Sequence, residues 1–260
     1  MLGTKIKAFS QKSLTLMNIN FKHVLKHYKE PTMESNKNSA RIAGLLIILG
    51  IVAGILSIVP AVEGEAYLQE VAAQQNQVLT GAVFQFLLVP IYIGFALLLY
   101  PLFKKRYPSF SIGLVGFRMI SGAFQLVGMM MLPVFIYLSQ QYEAEAGANI
   151  AFYETTGTML RLFRDLTNHL GVMLATGLGN LCLYAIFLKG KYIPIWLSLW
   201  GVLGAVLIML ASFLLLFHVI EVVSIEYGFM SIPLVLQEII LAIWLMVKGL
   251  DFTSHNPAHH

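Results

Sequence analysis

Six stretches of about 20 or more mostly apolar residues run through this chain, at roughly 41–62, 79–103, 110–138, 166–188, 193–217 and 228–248. Each is long enough to cross a hydrocarbon layer as a helix, and backbone polar groups in hydrocarbon must be paired within the chain. The expectation is therefore an all-α polytopic membrane protein with six transmembrane helices. Composition agrees: 58% of the 260 residues are hydrophobic and 12% are charged, against about 25% charged in soluble domains.

The charges orient the spans. Lys5, Lys7, Lys12, Lys22, Lys26, Lys29, Lys37 and Arg41 precede the first. Lys104, Lys105 and Arg106 follow the second, Lys189 and Lys191 the fourth, and Lys248 the sixth. The opposite loops carry Glu63, Glu65, Glu70, Glu143, Glu145, Glu154, Asp165, Glu221 and Glu226, with only Arg161 and Arg164 for balance. Positive residues stay on the cytoplasmic side, so both termini are expected in the cytoplasm and the chain in the inner (plasma) membrane. The net charge of +4 follows from this arrangement and does not mark a nucleic-acid surface. Cys182 is the only cysteine, so no intramolecular disulfide forms.

The expected organisation is a basic N-terminal segment (1–38), a six-helix domain (39–250) and a short cytoplasmic tail (251–260). Leu14, Met17, Phe21, Val24, Leu25 and Tyr28 recur at helical spacing with lysines around them, a pattern that suits a helix lying on an anionic leaflet. The alternative is that translation starts at Met33 and the upstream stretch is dispensable. Asn38 and Ser39 are expected caps of the first helix. Pro194 and Pro233 are expected in the first turns of spans five and six, and Pro90 inside span two. Spans two and four end alike, in LYPLFKKRY and LYAIFLKGKY. A shared need for aromatic and lysine anchors explains this more simply than a duplicated hairpin.

Ionisable groups within spans usually face the bundle interior. Arg118 lies roughly 12 Å into span three and Glu238 roughly 16 Å into span six from the same side. The matched depth makes each the other's expected partner, either as a strut or as the floor of a site. In span four, Asp165, His169, Thr176 and Asn180 fall within about 60° on a regular helix, with Gln85 and Gln125 available to face them. Such a stripe lines either a wet outward cleft or a hydrogen-bonded seam. His169 and His218 sit near the outer ends of their spans, but scattered histidines are more often structural than cofactor ligands; no cofactor or metal is expected. The longest loop, about 139–165, reads as an acidic, solvated segment. No H-E-x-x-H, G-x-S-x-G, P-loop or dinucleotide turn occurs, and no catalytic residue is assigned.

The fragments SARIAGLLIILGIVAGILS, ALLLYPLF, the FR of span three, NHLG, KGKYIPIWL and QEIILAIWLMVKG resemble a bacterial integral membrane family, the domain of unknown function 4386 family, over roughly residues 39–250. The resemblance implies that Arg118, His169 and Glu238 occupy recurrent polar positions of the family. It also implies an acidic residue a few positions after the arginine. This chain has MISGAF there, with Ser121 near the expected place, which leaves Arg118 more dependent on Glu238. The family brings no established activity. Three readings follow: a polar cleft for a small solute or lipid headgroup, a non-catalytic scaffold or stress-response component, and an intramembrane enzyme. Membrane lipids are the expected partners, and the sequence does not specify an oligomer.

Overall fold

The computed structural model describes residues 33–145 and 149–253. The chain divides after Asn36. The first part, with the amphipathic pattern around Leu14–Tyr28, lies almost entirely outside the described residues. Every described element is helical: α1 (Met33–Leu56), α2 (Pro60–Glu63), α3 (Tyr67–Ala73), α4 (Gln75–Phe103), α5 (Pro108–Ala144), α6 (Ile150–Asp165), a π-helical segment (Leu166–Val172), α7 (Met173–Gly190), α8 (Ile195–Leu216) and α9 (Ile225–Val247). Six helical rods are long and apolar enough to cross a membrane: α1, α4, α5, the continuous α6–π–α7, α8 and α9. The chain is a multi-pass, all-α membrane protein.

Its packing is that of a membrane bundle. On α8, Leu199, Leu203, Val206, Leu210 and Phe213 are exposed at three- and four-residue steps, while Gly201, Gly204, Ala205, Ala211 and Ser212 face inward. Small residues bring backbones together where lipid supplies no hydrophobic drive. Gly204 shows this directly, because a Cβ there would lie 2.9 Å from Leu234 Cα.

The rods differ in length. α8 and α9 have 22 and 23 residues, roughly 33–35 Å, whereas α5 has 37 and α6–π–α7 has 41, roughly 56 and 62 Å. A hydrocarbon layer of about 30 Å is filled by the short pair. At the carboxylate-rich end the long rods therefore continue into a lobe with α2 and α3. There Val62, Val71, Leu132 and Phe135 are fully buried, and Tyr67 meets Phe135 edge-on at 6.3 Å. Ser139 clamps α3, its Oγ donating to the Leu68 carbonyl at 2.7 Å and accepting from Ala72 N at 2.9 Å. This corrects the solvated loop expected over 139–165. Most of it is helix, because Tyr153, Gly157 and Arg164 repeat at helical spacing and are buried. Gly157 is required, since a Cβ there would collide with the Tyr67 ring.

Helix starts also differ from expectation. α1 already includes Asn38 and Ser39, so they do not cap it. α9 begins three residues early, capped by Ser224, whose side chain accepts from Tyr227 N. Pro233 consequently lies inside α9, whereas Pro194 is the N-cap of α8. At the lysine-rich end, Phe103, Tyr184 and Phe187 are core residues rather than interfacial anchors. Phe103 also packs on Tyr192 at 4.8 Å between ring centres. Burial pushes the Tyr192 phenol up to about 12, with Tyr107 adding to the shift and Arg106 opposing it.

Candidate functional site

Along α5, Ser111, Leu114, Arg118, Ser121, Gly122 and Gly128 form the buried stripe, so helical phase points Arg118 inward. Only 3% of it is exposed. Its guanidinium lies over the rings of Tyr92 and Phe95 from α4, at 5.1 and 5.8 Å, and such cation–π contacts strengthen away from water. Arg118 Nη2 donates to Asn180 Oδ1 on α7 at 2.6 Å. Arg118 Nε and Nη1, and Asn180 Nδ2, are buried without hydrogen-bond partners.

These donors line a cavity shared with Tyr92, Tyr184, Glu238 and apolar residues of α1, α7 and α9. It gives the centre of a water-sized sphere about 10 Å³ to move in, close to the minimum for one water. Glu238 is half-buried, and the Asn180 amide nitrogen approaches it without closing a hydrogen bond. The expected direct Arg118–Glu238 pair is not formed: the hydrogen-bond partner of Arg118 is Asn180, and the ion pair described is that of Arg164 with Glu63 of α2. The reason is topological. α5 packs on α7, and α9 packs on α8. Asn180 of α7 therefore reaches the guanidinium first. Depth along two helices places residues at one level; it does not make the helices neighbours.

The span-four stripe is divided rather than continuous. The π segment winds more slowly than an α-helix, so side chains before and after it lose the common phase expected on regular geometry. Asn180 goes to Arg118. Thr176 Oγ1 shares a 2.8 Å hydrogen bond with Ser121 Oγ. His169 Nδ1 meets Tyr227 Oη on α9 at 2.9 Å. Gln85 Nε2 donates to Asn168 Oδ1 at 3.0 Å, in a space that Gly128 leaves open: a Cβ there would lie 2.7 Å from Gln85 Nε2. Asp165 is half-buried beside the Arg164–Glu63 pair, while Arg161 donates to the carbonyls of Glu63 and Gly64 at 2.7 and 3.2 Å. Gln125 is half-buried and joins none of these pairs. Of the eight candidates, Arg118, Asn180 and Glu238 share the cavity; Gln85, Thr176 and His169 are in separate interhelical pairs.

Several participants escape a reading of charge and periodicity. Gln237 is completely buried, accepting from Tyr184 Oη at 2.6 Å and donating to the Leu197 carbonyl at 3.2 Å. Adjacent residues on a helix point about 100° apart, so Gln237 secures the α7–α8–α9 junction while Glu238 turns to the cavity. Tyr92, Ser121 and Asn168 carry no charge to mark them. His218 is exposed in the α8–α9 turn with φ 55°. Among the described residues, no three His, Cys, Asp or Glu side chains are grouped to hold a metal ion.

A family model, Domain of unknown function (DUF4386), matches residues 42–249. The chain belongs to the DUF4386 family. No curated protein and no solved structure matches it. The DUF4386 match spans all eight candidate residues, from Gln85 to Glu238, and both cavity-lining residues of α1, Leu46 and Ile47.

Proposed function

We propose that this DUF4386 protein binds, and passes, a small polar solute or lipid headgroup at Arg118, Asn180 and Glu238 within the membrane. One observation carries the reading: three buried N–H-bearing atoms without partners face a cavity that also holds a carboxylate. Buried polar groups are nearly always satisfied, and membrane-embedded charges mark binding sites and pathways. The reading places the chain in a bacterial plasma membrane; the charge distribution supports both termini being cytoplasmic, which puts the lobe outside. Native mass spectrometry of the purified protein, with lipid analysis of what co-purifies, tests binding. A retained small molecule lost in Arg118→Met supports the site; identical wild-type and variant spectra refute it. Labelling of cysteines introduced near Glu145 from outside, with none near Lys105, tests the orientation.

A second reading, a non-catalytic scaffold, is favoured by the Ser121–Thr176, Gln85–Asn168 and His169–Tyr227 pairs, each fixing α6–π–α7 to a different neighbour or depth. Thr176→Cys and Asn180→Cys in a Cys182→Ser background separate the two. Silver ion, a thiol reagent of one atom, reaches Asn180→Cys if the cavity is open to a guest, and neither position if the interior is only a seam.

A further inference from the structure

We infer that the guest of the Arg118–Asn180–Glu238 cavity is a single hydroxyl oxygen, which accepts from Arg118 and Asn180 and donates to Glu238. The inference rests on the binding reading above and names the ligand class. Space comes first. About 10 Å³ seats one oxygen; the rest of a guest lies in the opening, where a phosphate or carboxylate would leave a further charged oxygen without a donor. Charge comes second. Arg118 Nε, Arg118 Nη1 and Asn180 Nδ2 need an acceptor, but Glu238 lines the same cavity and opposes an anion. A bare cation meets the same conflict with Arg118. A hydroxyl oxygen resolves both, with two lone pairs for two of these three donors, one from Arg118 and one from Asn180, and a proton for the carboxylate. Tyr92 and Phe95 cover the guanidinium and line the same cavity, so the guest meets Arg118 among aromatic rings rather than bulk water.

Water and the free hydroxyl of a membrane lipid share this chemistry, and the experiment separates them. Full-length protein is equilibrated in dioleoylphosphatidylcholine vesicles containing equal small amounts of dioleoylglycerol, trioleoylglycerol and dioleoylphosphatidic acid. After re-purification, bound lipid is measured by mass spectrometry. Infrared difference spectra in ordinary and oxygen-18 water are recorded in parallel. A lipid hydroxyl predicts retention of dioleoylglycerol over trioleoylglycerol by about tenfold, the ratio for one hydrogen bond to a charged group. That preference disappears in Arg118→Met and Asn180→Leu and survives in Glu238→Gln, whose side-chain carbonyl still accepts. Bound water predicts no lipid preference but a narrow, isotope-sensitive O–H band, lost in the first two variants. Retention of phosphatidic acid that strengthens in Glu238→Gln overturns the hydroxyl assignment while leaving the binding site standing. Neither selective retention nor a bound-water band overturns both. Should Arg118→Met fail to fold, Asn180→Leu and Glu238→Gln alone decide.

Discussion

Gly201→Ala tests the wall of the cavity through a contact no binding assay touches. Gly201 lies on α8 against Tyr184 of α7, and an added methyl would fall on Cζ, Cε1 and Cε2 of that ring. The ring is tethered at its hydroxyl and can yield only into the small cavity. Tyr184 is 1% exposed, its hydroxyl is held by Gln237 at 2.6 Å, and it lines the cavity. Overpacking of this kind costs about 1–3 kcal/mol, and losing the hydrogen bond adds about 1 kcal/mol. Replacing a helical glycine by alanine returns up to about 1 kcal/mol. The net expectation is a loss of about 2 kcal/mol, or a Tm lower by about 4–8 °C for a chain of this size. Half-buried Cys182, the only thiol, supplies the signal through a thiol-reactive fluorogenic dye during a melt in detergent. Gly54→Ala and Gly94→Ala are the controls: a Cβ at either meets nothing within 4 Å, so both should be neutral or stabilising by up to about 1 kcal/mol. In a Tyr184→Leu background the Gly201→Ala penalty should nearly vanish. A Gly201→Ala protein that melts with the controls would refute the seating of α7 on α8.

Two further outcomes follow from the polar contacts. Arg118→Met and Asn180→Leu should be non-additive in a double-mutant cycle, with a coupling of about 1.5–3 kcal/mol for a hydrogen bond to a charged group; additive losses mean that the 2.6 Å contact is absent. Glu63→Gln removes the carboxylate from buried Arg164 and should destabilise the lobe by about 3 kcal/mol, read as earlier proteolysis near Glu145 and a lower Tm; unchanged protease resistance would exclude that pair as a fastening.

The spans and the inward placement of Arg118 were legible because hydrocarbon imposes length and pairing rules that act on each segment separately. Partners were not, because they depend on which rods are neighbours. Glu238 matches Arg118 in depth, yet Asn180 sits on the helix that packs against α5. The π segment hid the rest: nothing in LTNHLG announces a wider turn, and a regular-helix projection merged contacts that diverge to α5 and α9. The helical lobe did leave a trace. Tyr153, Gly157, Leu160 and Arg164 step by four, three and four, but the glutamate and threonines among them resembled a loop because the buried face includes a glycine and an arginine.

The unequal rods also bear on how this molecule can be imaged. A detergent belt or nanodisc is matched to the short pair, α8 and α9, so it hides most of the bundle in a featureless disc. The lobe built from α2, α3 and the ends of α5 and α6 stands clear on one side. It gives a 28.9 kDa chain a landmark outside the belt, from which the two faces of the disc can be told apart.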